Sequence, residues 1–183
     1  MRPNMMEQSD FVKIVSHENN QISQEAILRL LSRARFSIRI ASSSIRNFKV
    51  RLSGDSFFLS IFFRLLVRKG ISLKLLTTPK GFRSYLVREI QGISGVEVKA
   101  CARNHLKLII VDNLGVYIGT ANLTSAGLGF RPNGVRNFEV GFITYSTEIV
   151  SVVEEIFEKI WRGSFCDSCL YSIRRKNFEC MAS

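Results

Sequence analysis

Between residues 23 and 161 the spacing of apolar side chains switches repeatedly between a period of about 3.6 and a period of two, which restricts the chain to folds alternating helix and strand. Ser23 to Arg33 gathers Ile27, Leu28, Leu30 and Leu31 on one side, predicting an amphipathic helix with Ser23 as N-cap. Phe36 to Ser42 sets Phe36, Ile38 and Ile40 against Ser37, Arg39 and Ala41, as a strand does. Asp55 or Ser56 is placed to cap a helix running to about Lys69, with Gly70 at C′. Ile71 to Thr77 reads as a strand ended by Pro79-Lys80-Gly81, Phe82 to Gln91 as a short helix, and Val96 to Ala100 as another strand. His105 to Val111 and Val116 to Gly119 flank the turn residues Asn113-Leu114-Gly115, which predicts a hairpin. Asn137 to Thr144 is the last expected strand. Glu148 to Trp161 is the last helix, its stripe of Ile149, Val152, Val153, Ile156, Phe157 and Ile160 assigned to the core. Such an order implies an α/β layer fold.

The 183 residues suit one domain with one core, and we expect residues 23–163 to form it, between an N-terminal segment 1–22 and a basic, cysteine-containing tail 164–183. The strongest apolar run, Phe57 to Val67, is interrupted by Arg64 and too short to span a bilayer. Met1 to Asp10 carries Glu7 and Asp10 and no apolar stretch, so a cytoplasmic location is expected. The net charge of +11 is concentrated: residues 26–138 hold nineteen Lys and Arg against four acids. Arg29, Arg33, Arg35, Arg39, Arg46, Lys49 and Arg51 follow one another without an acid between them. That field favours polyanions, nucleic acid first and anionic lipid headgroups second. Cys166, Cys169 and Cys180 could offer three thiolates to zinc, but no fourth ligand or second close pair accompanies them, so reduced thiols are expected.

The predicted hairpin carries the chemistry. His105, Lys107, Asp112, Gly119, Thr120 and Asn122 stand as H-x-K-x4-D-x6-G-T-x-N, once in the chain. A nitrogen nucleophile, an ammonium, and hydroxyl and amide donors are the groups needed to open a phosphodiester without a metal. Residues two apart on a strand share a face, so His105 and Lys107 are expected side by side. Asp112, five positions beyond Lys107, points the other way and reads as structural, pairing or capping the hairpin turn. A histidine alone would be better read as a core residue; Lys107, Thr120 and Asn122 at these offsets favour function. His17, without such company, reads as a surface residue.

This run resembles the HKD signature of the phospholipase D superfamily, with threonine where serine is more usual. The element order from Ser23 to Trp161 resembles one repeat of that fold, and Asn137-Phe138-Glu139 is similar to the family's Asn-x-Glu segment. The resemblance implies a phospholipase D-like nuclease fold, a mixed β-sheet flanked by helices on both faces, with one HKD half-site per chain. It implies that His105 forms a phosphohistidine, that Lys107 and Asn122 bind the non-bridging oxygens with help from Thr120, that Glu139 accepts the other ring N–H of His105, and that Gly119 is structural. No metal or cofactor is implied. Attack and leaving-group protonation need two imidazoles at once, so a homodimer is implied, for which the Phe57 to Val67 helix could serve as interface. Similarity to the short single-motif nucleases implies a metal-independent, non-specific endonuclease acting on DNA or RNA. Two alternatives stand beside it: a phospholipid hydrolase or transferase approaching a membrane through Phe57, Phe58, Phe62 and Phe63, and a non-catalytic nucleic-acid-binding subunit.

Overall fold

A computed structural model describes residues 12–16, 20–52, 54–131 and 135–169. Cys180 and His17 lie outside them. The main sheet has seven strands in the order β1 (Val12–Ser16), β9 (Val140–Thr144), β8 (Gly115–Gly119), β7 (Lys107–Val111), β2 (Ser37–Ser42), β5 (Ser72–Thr77) and β6 (Val96–Ala100). β2, β5 and β6 are parallel, and every other neighbouring pair is antiparallel. Parallel neighbours cannot be joined by a tight turn, so helices carry the crossovers. α2 (Leu59–Arg68) lies between β2 and β5 in sequence, and α3 (Pro79–Phe82) and α4 (Tyr85–Ile90) lie between β5 and β6. The 1–22 segment contributes β1, which pairs with β9.

Strand alternation sends two sets of side chains to opposite faces. Ile38, Ile40, Leu73, Leu75, Ile109, Tyr117 and Ile143 join residues of α1 (Asn20–Ser32), α2 and α4 in the larger core. Ala41, Leu76, Leu108, Ile110 and Val116 face Val150, Val153, Phe157 and Trp161 of α5 (Thr147–Trp161). The expected mixed sheet with helices on both faces is therefore present.

Several local expectations are corrected. Asp55 and Ser56 do not cap a helix; they open β4 (Asp55–Phe58), which pairs with β3 (Lys49–Leu52) in a small antiparallel hairpin. Burial of Val50 and packing of Phe57 against the main core favour the hairpin, and α2 begins only at Leu59. Gly70 does occupy the left-handed C′ position, at φ 86°. Pro79 does not merely end a strand but stands at the start of α3, where Thr78 Oγ1 accepts from Gly81 N at 3.2 Å. α1 begins three residues earlier than expected, at Asn20. The last strand begins at Val140 and not at Asn137.

The expected core stripe of α5 is rotated. Ile149, Val152 and Ile156 are exposed, while Val150 and Trp161 are buried instead. Arg39 and Lys74 project from the sheet beneath the helix; Glu154 reaches Arg39 at 2.8 Å, and Glu158 reaches Arg39 at 2.9 Å and Lys74 at 3.1 Å. Burial opposes ionisation of Glu158, yet hydrogen bonds from Lys74 and Arg39 hold its carboxyl below the ordinary range. Turning these acids inward carries the opposite flank of the helix out into solvent. Among the described residues no helix is long and apolar enough to cross a membrane.

Candidate functional site

One end of the sheet collects the C-terminal ends of β2, β5, β6 and β8 with the N-terminal ends of β7 and β9. Ligands of α/β sheets commonly bind beyond the carboxyl ends of parallel strands, where loops are free to vary. The loops here carry Arg46, Lys80, Arg83, Arg103, Arg131 and Arg136, and Glu139 is the one acid among residues 43–48, 78–84, 101–106, 120–131 and 135–139.

His105 and Lys107 are close, but not by the strand geometry expected. β7 begins at Lys107, and His105 belongs to the preceding loop, so the shared-face reading is corrected. They are joined instead through the main chain: Lys107 Nζ donates to the carbonyl oxygen of His105 at 2.8 Å. The loop is fixed by Asn104, a buried residue that sequence reasoning missed. Its Nδ2 donates to the Leu76 carbonyl at 3.1 Å, and its Oδ1 accepts from Leu106 N at 3.2 Å. In the sequence an asparagine beside the histidine carries no mark of its burial. The His105 ring is exposed and makes no hydrogen bond or ion pair with the described residues. Burial pushes the Lys107 ammonium below its ordinary pKa, and the Glu139 carboxylate opposes that shift.

Asn122 Oδ1 accepts from Ser43 Oγ at 2.8 Å and Ser44 N at 2.9 Å, while Ser42 Oγ, 3.2 Å away, shares its one proton with the nearer Ser44 carbonyl at 2.8 Å. The Ser44 N–H can only donate, which assigns the oxygen to that side and leaves the Nδ2 donors without a partner among the described residues. Ser42 is central: its Oγ also accepts from Leu123 N at 2.9 Å, and it lies opposite Lys107 in the β2–β7 register. The serine run after β2 was not singled out in the sequence, because its partner lies about 80 residues away.

Gly119 is required by space. A Cβ there would stand 2.8 Å from Tyr117 Cζ and 2.9 Å from Gly141 Cα, and closer still to Tyr117 Oη. Burial pushes the Tyr117 hydroxyl up to about 12, so the ring stays neutral while it wedges between the two glycines. Gly127 answers a similar need, since a Cβ would approach the Asn122 carbonyl oxygen to 2.6 Å. Immediately beyond β8, Thr120 Oγ1 donates to Glu139 Oε2 at 2.5 Å, and Asn137 Nδ2 donates to Glu139 Oε1 at 2.9 Å. Among the described residues no hydrogen bond or ion pair links Glu139 to His105.

Asp112 lies at the other end of β7, remote from this cluster. It adopts φ 48°, and its carboxylate accepts from the backbone N–H of Arg35, Phe36 and Ser37 at 2.7, 3.0 and 2.6 Å. It ties the hairpin to the loop entering β2. Among the described residues no group of three His, Cys, Asp or Glu side chains could hold a metal, and Cys166 and Cys169 form no disulfide.

Three solved structures share the architecture. NucT from Helicobacter pylori superposes with a TM-score of 0.64 at 17% identity, over 82% of this chain and 95% of that one. Nuc from Salmonella typhimurium, a phospholipase D family member, gives 0.60 at 19% identity over 84% and 95%. TrmBL2, an archaeal chromatin protein with a novel mode of DNA binding, gives 0.58 at 17% identity, over 88% of this chain and 55% of that one. No protein of curated function matches the sequence. At these identities the likeness is one of fold. The family model for the cardiolipin synthase, PLD-like domain matches residues 27–161, nearly all of the sheet and its helices together with every residue of the His105 to Glu139 cluster, and the chain therefore belongs to that family.

Proposed function

We propose that the chain is a metal-independent phosphodiesterase that cleaves nucleic acid through a phosphohistidine, with two copies completing one site. The observation that carries this reading is that Ser42, beside the engaged Asn122 amide oxygen, stands opposite Lys107 in the β2–β7 register, at a sheet end whose loops hold six cations and one acid. An ammonium and a pre-oriented amide neutralise the charge that builds on non-bridging oxygens. The loop cations concentrate a phosphate backbone over them.

In the proposed step one His105 attacks phosphorus, forming a P–N bond while the bond to the leaving oxygen breaks. The second copy's imidazolium gives that oxygen its proton. The same second imidazole, now neutral, takes a proton from water, which displaces the first ring and restores both. Thr120 and Asn137 already engage Glu139, so in this reading they position it, and phosphate contact falls to Lys107 and Asn122.

We place the twofold contact on the apolar surface adjoining the site. Val140, Ile14 and Val12 are 55%, 62% and 49% exposed, and with Phe142 they share the sheet face that α5 leaves uncovered beside Ile149, Val152 and Ile156. The expected alternative, Phe57 to Val67, spends Leu59, Phe62, Phe63 and Leu66 within the monomer.

The test is a panel of labelled single- and double-stranded DNA, RNA and anionic liposomes in excess EDTA. Nucleic-acid cleavage lost in both His105→Ala and Lys107→Ala is the expected result. Turnover of lipid alone would select the phospholipid reading. Binding without turnover would make the chain a DNA-binding module, as the chromatin protein among the similar structures is described.

A further inference from the structure

A wide cleft lies away from the His105 end. It encloses about 830 Å³ at the opposite end of β2, between the loop after α1 and the β7–β8 turn, with Arg33, Arg35, Phe36, Arg39, Asp112 and Asn113 on its walls. Three features give it a definite chemistry. The Arg33 guanidinium lies over the Tyr145 ring at 5.0 Å from its centroid and makes no ion pair among the described residues. Arg35 makes no ion pair among the described residues, since the nearby carboxylate of Asp112 gives its oxygens to the main-chain N–H groups of residues 35–37. The Phe36 ring is 74% exposed, although it immediately precedes β2, whose Ile38 and Ile40 enter the core. Arg39 is neutralised by Glu154 and Glu158, so the two outer arginines supply the free positive charge.

Two cations beside an unpacked aromatic ring fit a ligand that joins phosphates to a flat base. Such a ring can stack only on a base that is not paired, which selects single strands. We propose that this cleft is a second contact for single-stranded nucleic acid, taking phosphates on Arg33 and Arg35 and a base on Phe36, outside the cleavage site. The proposal rests on the nucleic-acid reading of the His105 end. The six residues of β2 separate the two places by about 17 Å at the rise of a parallel strand. A dinucleotide, even with its backbone extended, is shorter than that separation and cannot touch both, whereas a strand of about twenty nucleotides can wrap between them.

The experiment compares binding and cleavage of a dinucleotide and of a strand of about twenty nucleotides by the full chain, Phe36→Ala and Arg35→Gln. Both positions lie outside the proposed catalytic cluster, and their exposed side chains leave the fold intact, which circular dichroism checks. For the long strand, Phe36→Ala should raise Kd and KM about tenfold. Arg35→Gln should reduce the slope of log Kd against log salt by about 0.7. Rates on the short strand should not change. Equal effects at both lengths, or no effect at either, overturn the cleft while leaving the His105 reading intact. Failure of the unmodified chain to bind or cleave either strand removes both.

Discussion

Replacing Asp112 separates a structural aspartate from a catalytic one. Asp112→Ala removes the acceptor for three backbone N–H groups, those of Arg35 and Phe36 at exposed positions and that of Ser37 in a half-buried one. The exposed pair can turn to water, at a cost of about 0.5–1 kcal/mol each, and the half-buried bond to a carboxylate costs about 1.5–3 kcal/mol. Alanine also tolerates φ 48° less well than aspartate, whose short polar side chain suits the left-handed region. The hydrogen bonds together come to about 2.5–5 kcal/mol, which for a domain of this size lowers Tm by about 5–20 °C. Asp112→Asn keeps one acceptor and the tolerance for positive φ, so it should lose about half as much. Thermal unfolding followed by circular dichroism measures both, and initial rates at a temperature where each variant is folded measure catalysis. Our reading expects kcat within about threefold of the unmodified chain in both variants, since the carboxylate is about 17 Å of strand from His105. A drop of about a hundredfold in kcat for folded Asp112→Asn would refute it, because a loss of that size marks a group that acts in the transition state.

Gly119→Ala should cost about 1–3 kcal/mol, because the new methyl meets Tyr117 and the Gly141 backbone, and single-turnover kinetics should show slowed cleavage as Thr120 and Asn122 shift with the strand end. The alkaline limb of the pH–rate profile should fall below that of an ordinary lysine: the ammonium of Lys107 is present below its folded pKa, which burial lowers, and is lost as pH rises through it. Glu139→Gln removes the charge that opposes the shift, so the limb should move to still lower pH; movement to higher pH would contradict the assignment. Ile14→Glu with Val152→Glu should yield a folded monomer by sedimentation with little cleavage, and a fully active dimer would exclude that face as the interface.

Much of the scaffold was legible because hydrophobic period is a local property. The strands at residues 37–42, 72–77 and 96–100, the His105 hairpin and the long last helix follow from spacing and turn residues within a few positions. The β3–β4 hairpin was not, since Asp55 and Ser56 are as suitable for a helix cap as for a strand and only the burial of Val50 and Phe57 decides between them. The same limit applied to α5: two sides of the helix are apolar enough to face a core, and the acids that turn it belong with Arg39 and Lys74, over 70 residues earlier.

At the site, the sequence by itself determined the family and the chemical groups, because six residue types at set offsets are written along one stretch of chain. Asp112 is set apart by its place beyond the far end of β7, at φ 48°, and not by alternation along the strand. Tertiary structure alone decided how those groups are held. Ser42, Ser43 and Ser44 orient Asn122 from across the sheet, Asn104 anchors the His105 loop to β5, Tyr117 makes Gly119 and Gly141 obligatory, and Thr120 is given to Glu139. The physical reason is the range of the forces involved. Periodicity and turn geometry act over a few residues, whereas a hydrogen bond or a steric contact depends on distance in space, which β-sheet register sets between segments far apart in the chain.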